Sequence, residues 1–316
     1  MAESDRKIAV VAFGGNAVDP TGNSTAEEMW EHIRRACRCV MVLLEEDYRV
    51  VLTHGNGPQI GRLLIRMDQT RKTLPPMPMD VCVADTQAAI GYMIQQSLLN
   101  MTRRVGRDHP IATIVTQVEV DPADPAFQNP TKPIGPFYDP SEAKTIGGAH
   151  GWRLVPDANR GYRRVVPSPR PVKIIELPVI RRLVNAGTIV ITVGGGGIPV
   201  VLKDEDYAGV EAVIDKDLAS ALLARNLNAY TFIILTAVDQ VCLDFAKPTQ
   251  RPLARITTDE ARAHLADGQF PAGSMGPKIE AALEFLEGNS GEVLITSLES
   301  LPKAIRGETG TRLVCG

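Results

Sequence analysis

Six short runs rich in β-branched residues punctuate the chain, at residues 7–13 (KIAVVAF), 49–53, 111–118, 188–193, 230–236 and 292–296, with longer segments of helical periodicity between them. Most of these runs are apolar almost without interruption. A strand with one face in water alternates polar and apolar side chains, whereas an unbroken apolar strand needs cover on both faces, and helices on either side of a parallel sheet supply it. The pattern predicts an α/β fold, an open three-layer αβα sandwich with a mainly parallel central sheet. Helices are expected between the first two of these runs and at about 83–101, 174–185, 217–229, 258–266 and 275–286. The first carries a capping box at Ser24 and Glu27, and Met29, Ile33, Ala36, Val40, Leu43 and Leu44 recur along one face.

One stretch breaks the rhythm. Residues 121–140 hold Pro122, Pro125, Pro130, Pro133, Pro136 and Pro140, and three more prolines fall within 167–171. Proline is excluded from helix interiors and central strands, so about 121–170 reads as an inserted, protruding subdomain or lid. The expected organisation is an N-terminal lobe, 1–187, containing this insertion, and a C-terminal lobe, 188–316. A chain of 316 residues can bury a core of this kind without disulfides. Its five cysteines are odd in number and scattered, and Cys37 and Cys39 face different sides of a helix with no zinc-spaced partners. A reducing, cytoplasmic setting is expected, with no metal-ligating residues, no apolar run of about 18 residues and so no membrane span. With 34 Lys and Arg against 37 Asp and Glu, the chain has no basic field for nucleic acid.

Three of the expected strands run straight into glycine: Gly14, Gly15 and Asn16 after the first, Gly55, Asn56 and Gly57 after the second, and the tetraglycine 194–197, with Gly195 and Gly196 at its centre, after the fourth. Parallel strands end on a common edge, where ligands bind. Glycine there lets main-chain amides approach an anion, and the N-terminus of the next helix adds a favourable dipole. One such turn is an ordinary tight turn, but three on one edge point to phosphate. The familiar fingerprints are absent: there is no G-x-x-x-x-G-K-[ST], and the spacing after Gly55-x-Gly57 brings Ile60 where a third glycine belongs.

Lysine supplies a second signal. Only ten basic residues are Lys, and Lys132 (NPTKPIG), Lys216 (IDKDLAS) and Lys278 (SMGPKIE) stand in unusual settings. Lys216 and Lys278 open helices, where a cation opposes the helix dipole unless an anion is held there. Phosphoryl transfer asks for such cations around the phosphoryl oxygens. Asp217 can orient both lysines, and Asp215 precedes Lys216. His54 is the one histidine at a strand end, where packing is the commoner role.

Taken in order, these residues resemble the amino acid kinase superfamily, and within it the carbamate kinases. The resemblance runs end to end, through GGNA at 14–17, HGNGPQIG at 54–61, NPTKPIGPFY at 129–138, VVPSPRP at 165–171, GVEAVIDKDLAS at 209–220, FPAGSMGPK at 270–278 and GTR at 310–312. Many superfamily members carry lysine two residues before the first glycine pair; this chain has Ala12, as carbamate kinases do. Residues 82–88, CVADTQA, depart from a more usual Gly- and Ser-containing version, and Gln240, Cys242 and Tyr162 replace a lysine, a tyrosine and a tryptophan. The resemblance implies reversible phosphoryl transfer between carbamoyl phosphate and ADP, Mg2+ travelling with the nucleotide, and a homodimer. It implies that Gly14, Gly15, Asn16, Gly55, Asn56 and Gly57 hold the transferred phosphoryl and the carbamate, with Lys132, Lys216, Lys278 and Asp217 catalytic. Gly195, Gly196, Asp215, Thr236, Asp239, Met275 and Gly276 would bind nucleotide. Two alternatives stay open: a kinase acting on another small carboxylate, and a nucleotide-binding regulator without turnover.

Overall fold

The computed structural model describes residues 6–20, 24–157, 161–271 and 273–316. Among these, eight strands form one sheet in the order Arg255–Thr257, Thr311–Val314, Glu292–Ser297, Thr231–Thr236, Ile8–Phe13, Arg49–His54, Ile189–Ile191 and Ile111–Thr113. Neighbours run parallel, apart from Glu292–Ser297 against Thr311–Val314. Alternate residues of the central strand feed two separate cores. Val10 and Ala12 pack with Phe232, Ile234 and the helices Lys216–Asn226 and Gly276–Leu286. Ala9, Val11 and Phe13 pack with Ile233, Leu235 and the helices Ala26–Glu45 and Met79–Arg104. This two-sided burial is why the strands read as unbroken apolar runs.

The structure departs from the sequence reading at definable points. The first capping box is formed by Thr25 and Glu28, not by Ser24 and Glu27, because Ser24 gives both its N–H and its hydroxyl to Asp19. The 111–118 run divides into Ile111–Thr113 and Gln117–Val120, the second in a separate four-stranded sheet with Ile198–Lys203, Asp206–Gly209 and Pro171–Ile174. The break falls where Thr116 turns its hydroxyl onto the Ile114 carbonyl and pairs with Thr192. Residues 174–176, expected to be helical, end a strand and cap the helix Leu177–Asn185. The helices Gly57–Thr70 and Pro140–His150 and the short edge strands were not anticipated.

The proline-rich stretch builds its own antiparallel sheet, Lys132–Tyr138, Tyr162–Val166 and Leu154–Pro156, beside the helix Pro140–His150. Pro133 and Pro136 lie in its edge strand, across a register shift between Ile134 and Tyr138, where a missing N–H costs little.

Candidate active site

Because Ile8–Phe13, Arg49–His54 and Ile189–Ile191 are adjacent and parallel, their C-terminal ends bring the three glycine turns to one edge. The backbones there are close: a Cβ on Gly55 would stand 3.3 Å from the Gly15 nitrogen and 3.4 Å from Lys216 Cδ. Gly195 has φ +66° and its Cβ would lie 2.1 Å from Asn56 Nδ2, so only glycine fits. Asn56 is buried and donates from Nδ2 to Thr86 Oγ1 at 2.9 Å. Asn16 falls in the turn Gly15–Val18, and its side chain lies outside the described residues.

The lysines meet at the N-terminus of Lys216–Asn226. Asp215 caps that helix, its Oδ1 accepting from the Asp217 N–H at 2.9 Å. Asp217 divides its carboxylate, Oδ1 to Lys216 Nζ at 2.5 Å and Oδ2 to Lys278 Nζ at 3.0 Å. Lys132 reaches in from the inserted sheet to Asp215 Oδ2 at 2.7 Å. Three ammonium groups from distant parts of the sequence are thus held on one helical turn by two carboxylates, leaving one net positive charge. Burial pushes the Asp217 carboxyl up, but Lys216 and Lys278 outweigh it and bring it to about 2. For Lys216 the balance is reversed: burial, with Lys278 adding, lowers its ammonium below the usual range against the pull of Asp217. Burial also raises Asp215, and Lys132 more than cancels that rise. Thr53 and Ser220 join their hydroxyls at 2.6 Å, tying this helix to the second strand.

Beside the cluster opens a cleft of about 690 Å³. Gly14, Gly15, Lys216 and Lys278 form its polar end, and Leu235, Val238, Phe270 and Met275 its apolar walls. A polar, cationic end joined to an apolar slot suits a nucleotide, phosphates first and base beyond. Thr236 and Met275 line it; Gly276, at the start of the helix Gly276–Leu286, is buried with its Cβ position 3.2 Å from the Pro271 carbonyl. Asp239, Gly195 and Gly196 are not among its lining residues. Asp239 accepts from Ser297 and Ser300 hydroxyls, which hold its carboxyl below the usual range, while Gly196 backs onto the Ile214 carbonyl. Gly57 opens the helix Gly57–Thr70 with free space around its Cβ position. His54 is fully buried beside Gly55; burial, with Lys216 adding, takes its imidazole down to about 4 against the hydrogen bond to the Gly55 carbonyl.

Several functional neighbours escaped the sequence reading. Thr86 and Gln87, which grip Asn56 and the tetraglycine turn, sit in the CVADTQA string that had stood out only as a departure. Arg62 pairs with buried Asp19 and bonds the Ser24 carbonyl, bracing the loop after the first strand, and no motif marks it. Among the described residues, no group of three or more His, Cys, Asp or Glu is arranged to hold a metal ion.

The amino acid kinase family profile matches residues 7–297. The carbamate kinase of Thermococcus kodakarensis is 48% identical over 98% of this chain and 99% of its own length. The carbamate kinase-like protein YahI of Escherichia coli is 48% identical with the same coverage of both chains. Among solved structures, carbamate kinase from Giardia lamblia bound to AMP-PNP superposes with a TM-score of 0.93 at 41% identity, over 99% of this chain and 100% of that one. The family match over most of the chain, the identity over nearly its whole length and the shared fold leave one assignment: the chain belongs to the amino acid kinase family, and within it to the carbamate kinases.

Proposed function

We propose that this enzyme transfers the phosphoryl group between carbamoyl phosphate and ADP, giving ATP and carbamate, which breaks down to ammonia and carbon dioxide. The observation that carries this reading is the meeting of Lys132, Lys216 and Lys278 on one helical turn, between the glycine edge and the cleft. A β-phosphate oxygen of ADP attacks phosphorus, the bond from phosphorus to the carbamate oxygen breaks, and carbamate leaves with that electron pair. No proton has to move, so no general base is required. This agrees with a His54 that is buried and neutral at working pH.

In this reading Gly14, Gly15, Asn16, Gly55, Asn56 and Gly57 receive the carbamoyl group and the transferred phosphoryl. Lys216 and Lys278 neutralise the phosphoryl oxygens and the bridging oxygen, where charge builds in the transition state. Asp217 holds the two in register, and Lys132, arriving from the insertion, closes over the same group. Asp215, Thr236, Asp239, Met275 and Gly276 complete the nucleotide side, whereas Gly195 and Gly196, read from the sequence as nucleotide-binding, back onto Asn56 and the Ile214 carbonyl and serve the carbamoyl side; 1–187 acts as the carbamate lobe, 121–170 as its lid and 188–316 as the nucleotide lobe. Asp215 and Asp217, the carboxylates of the lysine cluster, are already paired with lysine, which suits a Mg2+ that arrives on the nucleotide phosphates and keeps its own waters. Such an ion neutralises nucleotide charge when bound. Five free cysteines are consistent with a reducing, cytoplasmic setting. Among the described residues no helix is long and apolar enough to cross a membrane. We also propose that the enzyme is a homodimer.

Purified protein given carbamoyl phosphate and MgADP should form ATP, and Lys216→Ala and Lys278→Ala should each lower the rate by roughly 10²-fold or more. Wild-type ATP formation no greater than that of the variants would remove the proposal. Turnover of acetyl phosphate or an acylated amino acid, with carbamoyl phosphate ignored, would move the enzyme to a different acceptor. Nucleotide binding by calorimetry with no single-turnover signal would make it a regulator.

A further inference from the structure

The turn after Ile189–Ile191 is strained at a residue that is not glycine. Val193 has φ 51° and ψ 34°, in the left-handed region where a branched Cβ is crowded, and it is completely buried. Two side chains from elsewhere hold it there. The Val193 N–H donates to Thr116 Oγ1 at 3.1 Å, and that hydroxyl also pairs with Thr192 at 2.7 Å. Gln87, buried on the helix Met79–Arg104, donates from Nε2 to the carbonyls of Gly194 at 2.9 Å and Thr116 at 3.1 Å. Its Oε1 accepts from the Thr116 N–H at 2.8 Å. One amide hydrogen of Gln87 therefore holds the turn directly, while its other hydrogen and its carbonyl fix Thr116, whose hydroxyl holds the Val193 N–H.

On its other side the turn touches the site. A Cβ on Gly194 would stand 2.5 Å from His54 Nε2, and one on Gly195 2.1 Å from Asn56 Nδ2. Asn56 in turn donates to Thr86, the residue before Gln87. Neighbouring side chains of one helix thus hold Asn56 directly and fix the wall behind it.

We propose that Gln87 is a positioning residue for the carbamoyl side of the reaction: by pinning the strained Val193–Gly194 turn it sets where the Asn56 carboxamide stands. The inference rests on the assignment of Asn56 to the carbamoyl group. A brace that served only the core would weaken the fold and affect both substrates alike.

Gln87→Glu separates the two roles. The replacement has the same shape, but when ionised it turns a carboxylate oxygen toward two carbonyls; when protonated it regains one donor. At about pH 8 the KM for carbamoyl phosphate should rise roughly tenfold, while the KM for MgADP stays within about twofold. Because burial raises a carboxyl pKa, the defect should shrink as pH is lowered toward about 6. In an Asn56→Ala background the same change should add less than it does alone. Both KM values rising together, a defect that ignores pH, or full additivity with Asn56→Ala would each overturn the proposal. If Gln87→Glu fails to fold, Thr116→Val, which removes the hydroxyl that accepts from Val193, should give the same split in KM, and parallel losses would count against it. A wild-type enzyme silent with carbamoyl phosphate sinks the reaction assignment; an active wild type with an unselective Gln87→Glu variant sinks this proposal alone.

Discussion

Asp217 and His54 lie close together in the site and respond to burial in opposite ways. Asp217 has a folded pKa of about 2 against an ordinary 3.8, so its stabilising ion pairs are complete above 3.8 and are lost only as pH falls through 2. Around neutrality it contributes no slope. His54 has a folded pKa of about 4 against 6.5, so between those values the unfolded chain binds a proton that the folded one refuses. Stability must therefore fall as pH drops from 6.5 to 4, by up to about 3 kcal/mol from this residue. Thermal melting across that window should show the decline, and His54→Gln should flatten it, whereas equal slopes for the two proteins would mean that His54 is not its source. Lys216 illustrates a different residue-scale point. Its sequence position at a helix start looked unfavourable, and the compensating anions proved to be its own neighbours, Asp215 and Asp217, which ready the cluster before any phosphate arrives.

At the scale of elements, the inserted subdomain matters because it carries Lys132. Its docking runs through Arg164, which is steadied over the Trp152 ring of the same subdomain at 4.2 Å and pairs outside it with Glu211, and through the close approach of Gly135 to Gly61, a Cβ there lying 3.5 Å from Gly135 Cα. Arg164→Ala should loosen that docking, lowering kcat by about tenfold with the KM for MgADP little changed. In a Lys132→Ala background it should add little, since the positioned group is already gone; steady-state kinetics of the four proteins would decide, and independent losses would mean that Arg164 acts elsewhere. Elements also show what the sequence could reveal. The central strands were legible because both their faces are apolar, and the helix Thr258–Ala266 because its caps are local. The split at Thr116 was not, since it depends on Gln87 and Thr192, residues 29 and 76 positions away. The lysines and glycines that the structure brings together stood out in the sequence by their settings, whereas Gln87 and Arg62 are ordinary residues whose meaning comes only from what they touch.

For the whole molecule, the outstanding question is what faces the long helix Met79–Arg104. Its inner side packs into the core through Ile90, Ile94 and Leu98, but Val81, Tyr92 and Leu99 are 41%, 54% and 39% exposed. Spacings of 11 and 7 residues return nearly to the same side of an α-helix, so these three form one apolar stripe. Tyr92 is already steadied edge-on by Trp30 at 5.5 Å, which lowers the entropy cost of presenting its free face. The strand Ile111–Thr113, at the edge of the central sheet, lies against the same helix and has backbone groups unpaired by any further strand of its sheet. A two-fold interface built on this stripe needs roughly 800 Å² from each partner to be stable. Sedimentation at micromolar concentration should therefore give twice the chain mass, and Tyr92→Glu with Leu99→Lys should shift it toward the monomer while leaving the lysine cluster, to which neither residue belongs, intact. A wild-type monomer, or a dimer indifferent to both charges, would show that the two copies do not meet through this helix.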